Sequence, residues 1–175
     1  MPQYPVYTAG QKATAAMLTL GEPQFVAKTA NTDLVSNAVL ANDPDLQFPV
    51  VANGVYLVEF SLNFGGTATE QIKTGWAAPA GATGNKVGYG IASGQAANSF
   101  ADGVSSRWGV YPFAGTSVYT CVRSGITNLQ GAMESGVVTV GSTAGTVALQ
   151  WSQNTSTANT MRMAAGSWGR CTRIS

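Results

Sequence analysis

The chain has 175 residues, of which 45% are hydrophobic and only 10% are charged, where about 25% charged residues is usual in soluble domains. Nine basic residues and eight acidic ones give a net charge of only +1, which is too small to attract nucleic acid or an anionic membrane, and the near-neutral surface suits a subunit of an assembly. Histidine is absent, which excludes Ser-His-Asp triads, Cys-His pairs and histidine-containing zinc sites.

Residues 1–22 differ in character from the rest of the chain. Pro2 and Pro5 favour an extended arm, and the stretch from a cap at Thr8 to a stop at Gly21 predicts one short helix. The segment lacks the basic stretch and apolar core of a secretory signal, so we expect assembly in a cytoplasm. The helix either covers one edge of the sheet or, with the arm, docks on another subunit. Docking would use Tyr4, Val6, Tyr7, Met17 and Leu18.

Residues 23–175 are predicted to form one domain of strands and turns. We expect a first strand over 23–30, a polar turn over 31–33, and then two short strands and a long one over 36–66. Asp43-Pro44 and Asn53-Gly54 are the turn signals between them. The long strand has the clearest period of two. Its predicted core face consists of Tyr56, Val58, Phe60, Leu62 and Phe64, and its other face of Glu59, Ser61 and Asn63.

The second half of the chain continues with turn signals about ten residues apart and no helical period, which is typical of an antiparallel sandwich or barrel. In the C-terminal run, Val147, Leu149 and Trp151 alternate with small or polar residues. A last strand alternates large residues with Gly169, Cys171 and Arg173. We expect Cys171 and Arg173 on its outer face. The residues expected in the core or in a subunit contact are Phe60, Phe64, Trp151, Trp168 and Ile174.

Two pairs of carboxylates are the candidates for chemistry. Asp43-Pro44-Asp45 is either a turn leading into a strand or part of a calcium site, which would need several more oxygen ligands. Glu59 and Glu70 lie on or near neighbouring predicted strands. They form either a solvated pair or the acid-base pair of a glycan hydrolase, and the first interpretation is favoured.

Other residue types carry weaker signals. The glycines of Gly88-Tyr89-Gly90 indicate close backbone approach in a strand, because the flanks and the Lys-Ser or Lys-Thr of a phosphate loop are missing. Cys121 and Cys171 are either buried free thiols, which a cytoplasmic product favours, or a disulfide between neighbouring strands. The tryptophans fit a core or subunit contact better than a sugar-binding face; they are Trp76, Trp108, Trp151 and Trp168. A basic cluster without an acid either is solvated or meets an acidic neighbour, and consists of Arg162, Arg170 and Arg173.

Three segments carry a resemblance when they are taken in order. They are VYTAGQKATAAMLT, then AVLANDPDLQFPVVANGVYLVEFSLNFGG followed by GWAAPAGATG, and the closing VALQWSQNTSTANTMRMAAGSWGRCTRIS. Together these segments resemble small virion proteins of tailed bacteriophages that infect actinobacteria, which occur as accessory proteins of the head or tail or as terminal modules of fibres. The chain departs from that pattern at Gly169 and Cys171, where bulkier residues are common.

This resemblance implies an all-β, antiparallel jelly-roll sandwich like that of the tumour necrosis factor and complement C1q group, with a short N-terminal arm and helix. It also implies a non-enzymatic homotrimer without cofactor or metal, which decorates the phage capsid and contacts the major capsid protein through the arm. The alternative is a module at the tail tip or on a fibre, in contact with tail or baseplate proteins. Such a module would bind host glycan through loops such as residues 94–103 or 153–159.

Overall fold

The protein is described by a computed structural model over residues 9–12, 14, 22–91, 106–107 and 110–175. Within these ranges the chain forms strands and turns but no helix, and no helix long and apolar enough to cross a membrane is found there. The strands are β1 (Gln24–Ala27), β2 (Thr32–Val35), β3 (Ala41–Val50), β4 (Val55–Gly66), β5 (Ile72–Ala77), β6 (Thr83–Ile91), β7 (Ser106–Arg107), β8 (Val110–Pro112), β9 (Ser117–Tyr119), β10 (Gly125–Thr139), β11 (Gly145–Gln153), β12 (Thr160–Met163) and β13 (Trp168–Arg173).

Two sheets face each other across one core. The large sheet has the order β1-β13-β4-β10-β6-β7, with β8 beside β6 and with β12 pairing both β2 and β4. The small sheet has the order β3-β11-β5-β9. All strand pairs among the described residues are antiparallel. The predicted fold class, an all-β antiparallel sandwich of jelly-roll type, is therefore confirmed.

The predicted N-terminal helix falls largely outside the described residues. Of its span, the structure describes residues 9–12 and 14, which form a turn and irregular backbone. Gly10 has a φ of +81°, a left-handed conformation that a helix does not contain. A helix that starts at the Thr8 cap is therefore wrong for these residues, because Gly10 turns the chain there.

The strand β4 organises the core, as its alternation predicts. Its five predicted inward residues are at most 2% exposed, and Glu59, Ser61 and Asn63 lie on the partly exposed outer face. The Phe60 ring packs edge-on against Trp76 of the small sheet, with centroids 5.3 Å apart. It also lies 5.8 Å from the Phe48 ring, so aromatic contacts join the two sheets at their centre.

The two predicted turns around β3 differ in outcome. Asn53 has a φ of +59° between β3 and β4, which confirms the turn at Asn53-Gly54. The Asp43-Pro44 turn lies inside β3, where the pairing with β11 jumps from Asn42 to Gln47 while the partner strand advances by two residues. The turn signal therefore produces a bulge within one strand, and the prediction of two separate short strands is wrong here.

The polar turn predicted over residues 31–33 is shorter than expected. Strand β2 begins at Thr32 and pairs with β12. Thr32 and Leu34 are half-buried while Asp33 and Val35 are exposed, so pairing with β12 outweighs the turn preference of Asn31 and Asp33.

The inner and outer faces of β13 are the reverse of those predicted. Gly169 and Cys171 point into the core, whereas Trp168 is 37% exposed and Ile174, just beyond the strand, is 47% exposed. A Cβ atom at Gly169 would lie 2.9 Å from ring carbons of both Phe48 and Phe60. Because those rings fill the space in front of β13, only its small residues can face inward, and the core is excluded for Trp168 and Ile174.

Candidate functional site

The segments proposed to touch a partner are only partly described. The arm residues Tyr4, Val6, Tyr7, Met17 and Leu18, the loop 94–103 and Trp108 lie outside the described residues. The loop 153–159 is described, and the buried Gln153 side chain holds it together. Its Nε2 donates to the carbonyls of Thr157 at 3.3 Å and Asn159 at 2.7 Å, and its Oε1 accepts from the backbone N–H groups of Asn37 and Thr157.

The two glutamates considered as an acid-base pair are engaged in separate structural contacts. Glu59 lies on β4 in the large sheet, opposite Arg170 of β13, whose guanidinium binds its carboxylate. Glu70 is fully buried in the turn before β5, which belongs to the small sheet. Its carboxylate accepts hydrogen bonds from the backbone and hydroxyl of Thr67 and from Asn159 Nδ2. The expectation that these glutamates lie on neighbouring strands is wrong.

Two of the three C-terminal arginines are paired with acids, contrary to the expected basic cluster. Arg162 and Asp33 face each other on β12 and β2, and the guanidinium donates two hydrogen bonds of 2.7 Å to the carboxylate. These bonds hold the pKa of Asp33 below its usual value. Arg170 pairs with Glu59, and Arg173 Nε donates to the carbonyl of Ser175 at 3.0 Å. The acids are distant in sequence, and sheet register brings them opposite.

An apolar patch lies on the outer face of the large sheet. Two apolar pairs, Leu57–Val137 and Val87–Val110, lie there on four strands, and Ser135 and Asn85 stand between the two pairs. Val110 is 69% exposed, Met133 43% and Val137 40%. Trp168 of β13 lies on the same face, separated from Met133 by Ser61. We call this surface, formed by Leu57, Val87, Val110, Met133 and Val137, the outer patch.

A buried polar cluster surrounds Glu134, which faces the small sheet from β10. Its Oε1 accepts from Thr74 Oγ1 at 2.5 Å and Tyr119 OH at 2.9 Å. Its Oε2 accepts from Trp76 Nε1 at 2.6 Å and Lys86 Nζ at 2.9 Å. Both members of the Lys86–Glu134 ion pair are fully buried. Sequence reasoning missed this cluster, although the inward positions of Ala132 and Val138 on the same strand assign Glu134 to the core face.

A second buried cluster joins the end of β1 to the bulge of β3. Lys28 Nζ lies 3.1 Å and 3.0 Å from the two carboxylate oxygens of Asp43, and 2.9 Å from Asp45 Oδ2. The side chains of Lys28 and Asp43 are fully buried, whereas that of Asp45 is 42% exposed. The ammonium thus occupies the space between the carboxylates where the calcium interpretation would place a cation. The described residues contain no group of three or more metal-binding side chains.

The two cysteines are free and buried on the core side. Burial raises the pKa of both thiols to about 12, and the negative charge of Glu70 adds to this effect at Cys121. The favoured interpretation, two buried thiols rather than a disulfide, is therefore the one that the structure contains.

No protein-family model and no curated protein matches the chain. Among solved structures, it is similar to the VP2 subviral particle of infectious bursal disease virus, with 11% identity and a TM-score of 0.20 over 98% of this chain and 46% of that one. The Gt strain of the same virus gives 13% identity and a TM-score of 0.18 over 98% and 45%. The chain spans about half the length of these structures.

Proposed function

We propose that the protein is a non-enzymatic structural subunit of a tailed-bacteriophage virion, and that it decorates the capsid as a homotrimer. The resemblance of the three sequence segments supports the virion role, and the outer patch is the observation that carries the self-association. A surface that joins exposed valines and a methionine across several strands is typical of a protein contact. The carboxylates considered for catalysis support a non-enzymatic role, since Glu59 binds Arg170 and Glu70 holds a buried turn.

A second copy of the chain is the best occupant for the outer patch. The patch carries no charge, and its neighbours within the sheet include Ser135, Asn85 and Thr139. Glu59, opposite Ser135, is neutralised by Arg170, so the patch offers little complementary charge to a strongly acidic or basic partner. A neutral apolar surface fits a neutral apolar surface best, and in a closed trimer the patches of three copies can meet around the threefold axis, where each copy buries its own.

The oligomeric state tests the trimer. Val137→Asp places a charge at the centre of the outer patch, and Thr146→Asp places the same charge on an exposed position of the small sheet. We expect a mass of three chains in solution for the native protein and for Thr146→Asp, and a mass of one chain for Val137→Asp. A native protein that stays monomeric over the concentration range of the assay would overturn self-association, and a trimeric Val137→Asp variant would remove the outer patch from the interface.

Decoration of the shell is tested on particles. Bound subunits that bridge capsid proteins add contacts that exist only in the assembled shell, so the shell should resist heat better when they are present. We expect deletion of residues 1–20 to abolish binding to capsids while the trimer persists. Unchanged occupancy of the particles would remove the arm from the mechanism.

The loop 153–159, which hydrogen bonds of Gln153 hold together, favours a second candidate, a tail-tip or fibre module that binds host glycan. A polar loop that Gln153 already holds in one conformation would lose little entropy on binding. Labelled antibody on whole particles discriminates the two functions, because decoration marks heads and adsorption marks the tail end. Label on heads alone would exclude the glycan-binding role.

A further inference from the structure

We propose that Lys28 and Asp43 form an intramolecular isopeptide bond, with Asp45 as the proton relay. Lys28 Nζ lies at nearly equal distances, 3.1 Å and 3.0 Å, from both oxygens of the Asp43 carboxylate. A nitrogen equidistant from the two oxygens lies roughly 3 to 3.5 Å from the carboxyl carbon, which is the separation of a near-attack arrangement, and rotation of the carboxylate about its Cβ–Cγ bond is needed to bring the nitrogen above the carboxyl plane. The inference rests on this cluster alone and does not depend on the virion role.

The surroundings of Asp43 favour acyl chemistry. The backbone N–H groups of Asp45 and Leu46 donate to Oδ1 at 3.0 Å and 3.2 Å, so two donors already face the oxygen on which negative charge develops during attack. Trp151 Nε1 donates to Oδ2 at 3.0 Å. The side chains of Lys28 and Asp43 are fully buried, and a low dielectric favours a neutral amide over two separate charges.

Asp45 supplies the proton transfers that the bond requires. Its carboxylate, 2.9 Å from Lys28 Nζ, accepts one proton from the ammonium. Asp45 passes this proton to Oδ2 of Asp43, so that a neutral amine faces a neutral carboxyl group. The amine attacks the Asp43 carboxyl carbon and the Nζ–Cγ bond forms. The Cγ–Oδ2 bond then breaks, and the hydroxyl leaves with a second proton from nitrogen as one water molecule. The ammonium and carboxylate thus become a neutral amide, with no net oxidation, and water departs along the partly exposed Asp45 side chain.

The Lys86–Glu134 pair is a built-in comparison. It is equally buried, but Lys86 contacts Oε2, while Oε1 is occupied by the hydroxyls of Thr74 and Tyr119. The ammonium therefore does not lie astride the carboxylate, and we expect this pair to remain ionic. The comparison separates burial of a lysine and a carboxylate from the geometry that leads to bond formation.

The bond would join the two sheets covalently. Lys28 follows β1 of the large sheet, and Asp43 lies in β3 of the small sheet. Lys28 would also be the first residue after residues 1–22 that a covalent cross-link holds to the rest of the domain. A pulling force on that segment would then reach both sheets at once and would not peel β1 from the edge of the large sheet.

Tryptic digestion of the unfolded, full-length protein tests the bond. Trypsin does not cleave after an acylated lysine, so we expect one peptide covering residues 13–73 with the mass of one water molecule missing. An ionic Lys28 gives two peptides, 13–28 and 29–73, with full masses, and that result for protein that has been folded for days would overturn the proposal. Loss of water with cleavage after Lys28 would indicate a cyclised aspartate and would overturn it equally.

Two variants assign the roles. Lys28→Arg keeps the positive charge but has no primary amine that could form the bond. We therefore expect the mass of this variant to show no loss of water. Asp45→Asn leaves Lys28 and Asp43 in place, and its half-exposed position makes it tolerant of substitution. We expect this variant to fold and to form the bond on the order of a hundredfold more slowly, which is a typical contribution of a proton-transferring group. Bond formation at the native rate would overturn the role given to Asp45.

Discussion

Replacing Glu134 with glutamine tests whether the buried ionic cluster stabilises the sandwich. The change keeps size and shape but removes the charge that faces Lys86, and it turns one acceptor oxygen into an amide that donates. Whichever way the amide points, two of the four donors around position 134 lose their acceptor. Because Lys86 is fully buried, its charge is then uncompensated.

The expected magnitude follows from that burial. Breaking a fully buried ion pair by removing one partner costs about 3 to 5 kcal/mol. For a domain of this size, 1 kcal/mol corresponds to roughly 2 to 4 °C in melting temperature. We therefore expect the melting temperature of Glu134→Gln to fall by on the order of 10 °C.

The assay is thermal and urea unfolding at one fixed protein concentration, since association changes apparent stability. The matched control is Glu59→Gln, which breaks the partly exposed pair with Arg170 and should cost less than about 1 kcal/mol. Adding Lys86→Met to Glu134→Gln removes the uncompensated charge and should recover part of the loss. Equal effects of the two glutamine variants would refute the reasoning that burial determines the cost.

Three further predictions follow from individual sites. Cys121 and Cys171, whose thiol pKa values are raised to about 12, should resist iodoacetamide in the folded protein at pH 8 and react fully in denaturant, as read by mass; labelling of the native protein would contradict this. Gly169→Ala should cost about 1 to 3 kcal/mol by overpacking, while Gly131→Ala, whose Cβ meets its nearest atom at 3.6 Å, should leave urea unfolding unchanged. Asp33 has a lowered pKa, so its contribution should be present above about pH 4 and lost as the pH falls through the folded value. Asp33→Asn should accordingly flatten that part of the stability–pH profile, and an unchanged profile would contradict the pairing.

The parts of the fold that were predictable are those with a strong period of two. The β4 strand shows this, because all five of its large apolar residues at alternate positions lie on one face, which must therefore be the core face. The last strand was assigned the wrong face because both alternating sets contain plausible core residues, and bulk favoured Trp168 and Ile174. The choice depended on Phe48 and Phe60, which fill the opposing space, and no local pattern contains that information.

The buried ionic clusters could not be predicted from the sequence for a related reason. Asp43-Pro44-Asp45 was identified as a close pair of carboxylates, but its partner Lys28 comes from the edge of the other sheet. Lys86 and Glu134 are 48 residues apart in the chain, and they meet because β6 and β10 are neighbours. Charged residues on strands are usually solvated, so pairing of this kind follows from register and cannot be derived from spacing along the chain.

The placement of the ion pairs has a consequence for how the protein responds to salt. At least nine of the seventeen charged residues are paired with each other within the chain, and the fully buried ones are shielded from mobile ions. Little charge is left to set up a field outside the molecule, so contacts through the outer patch should be nearly independent of ionic strength. The proposed trimer should therefore stay assembled when the salt concentration changes.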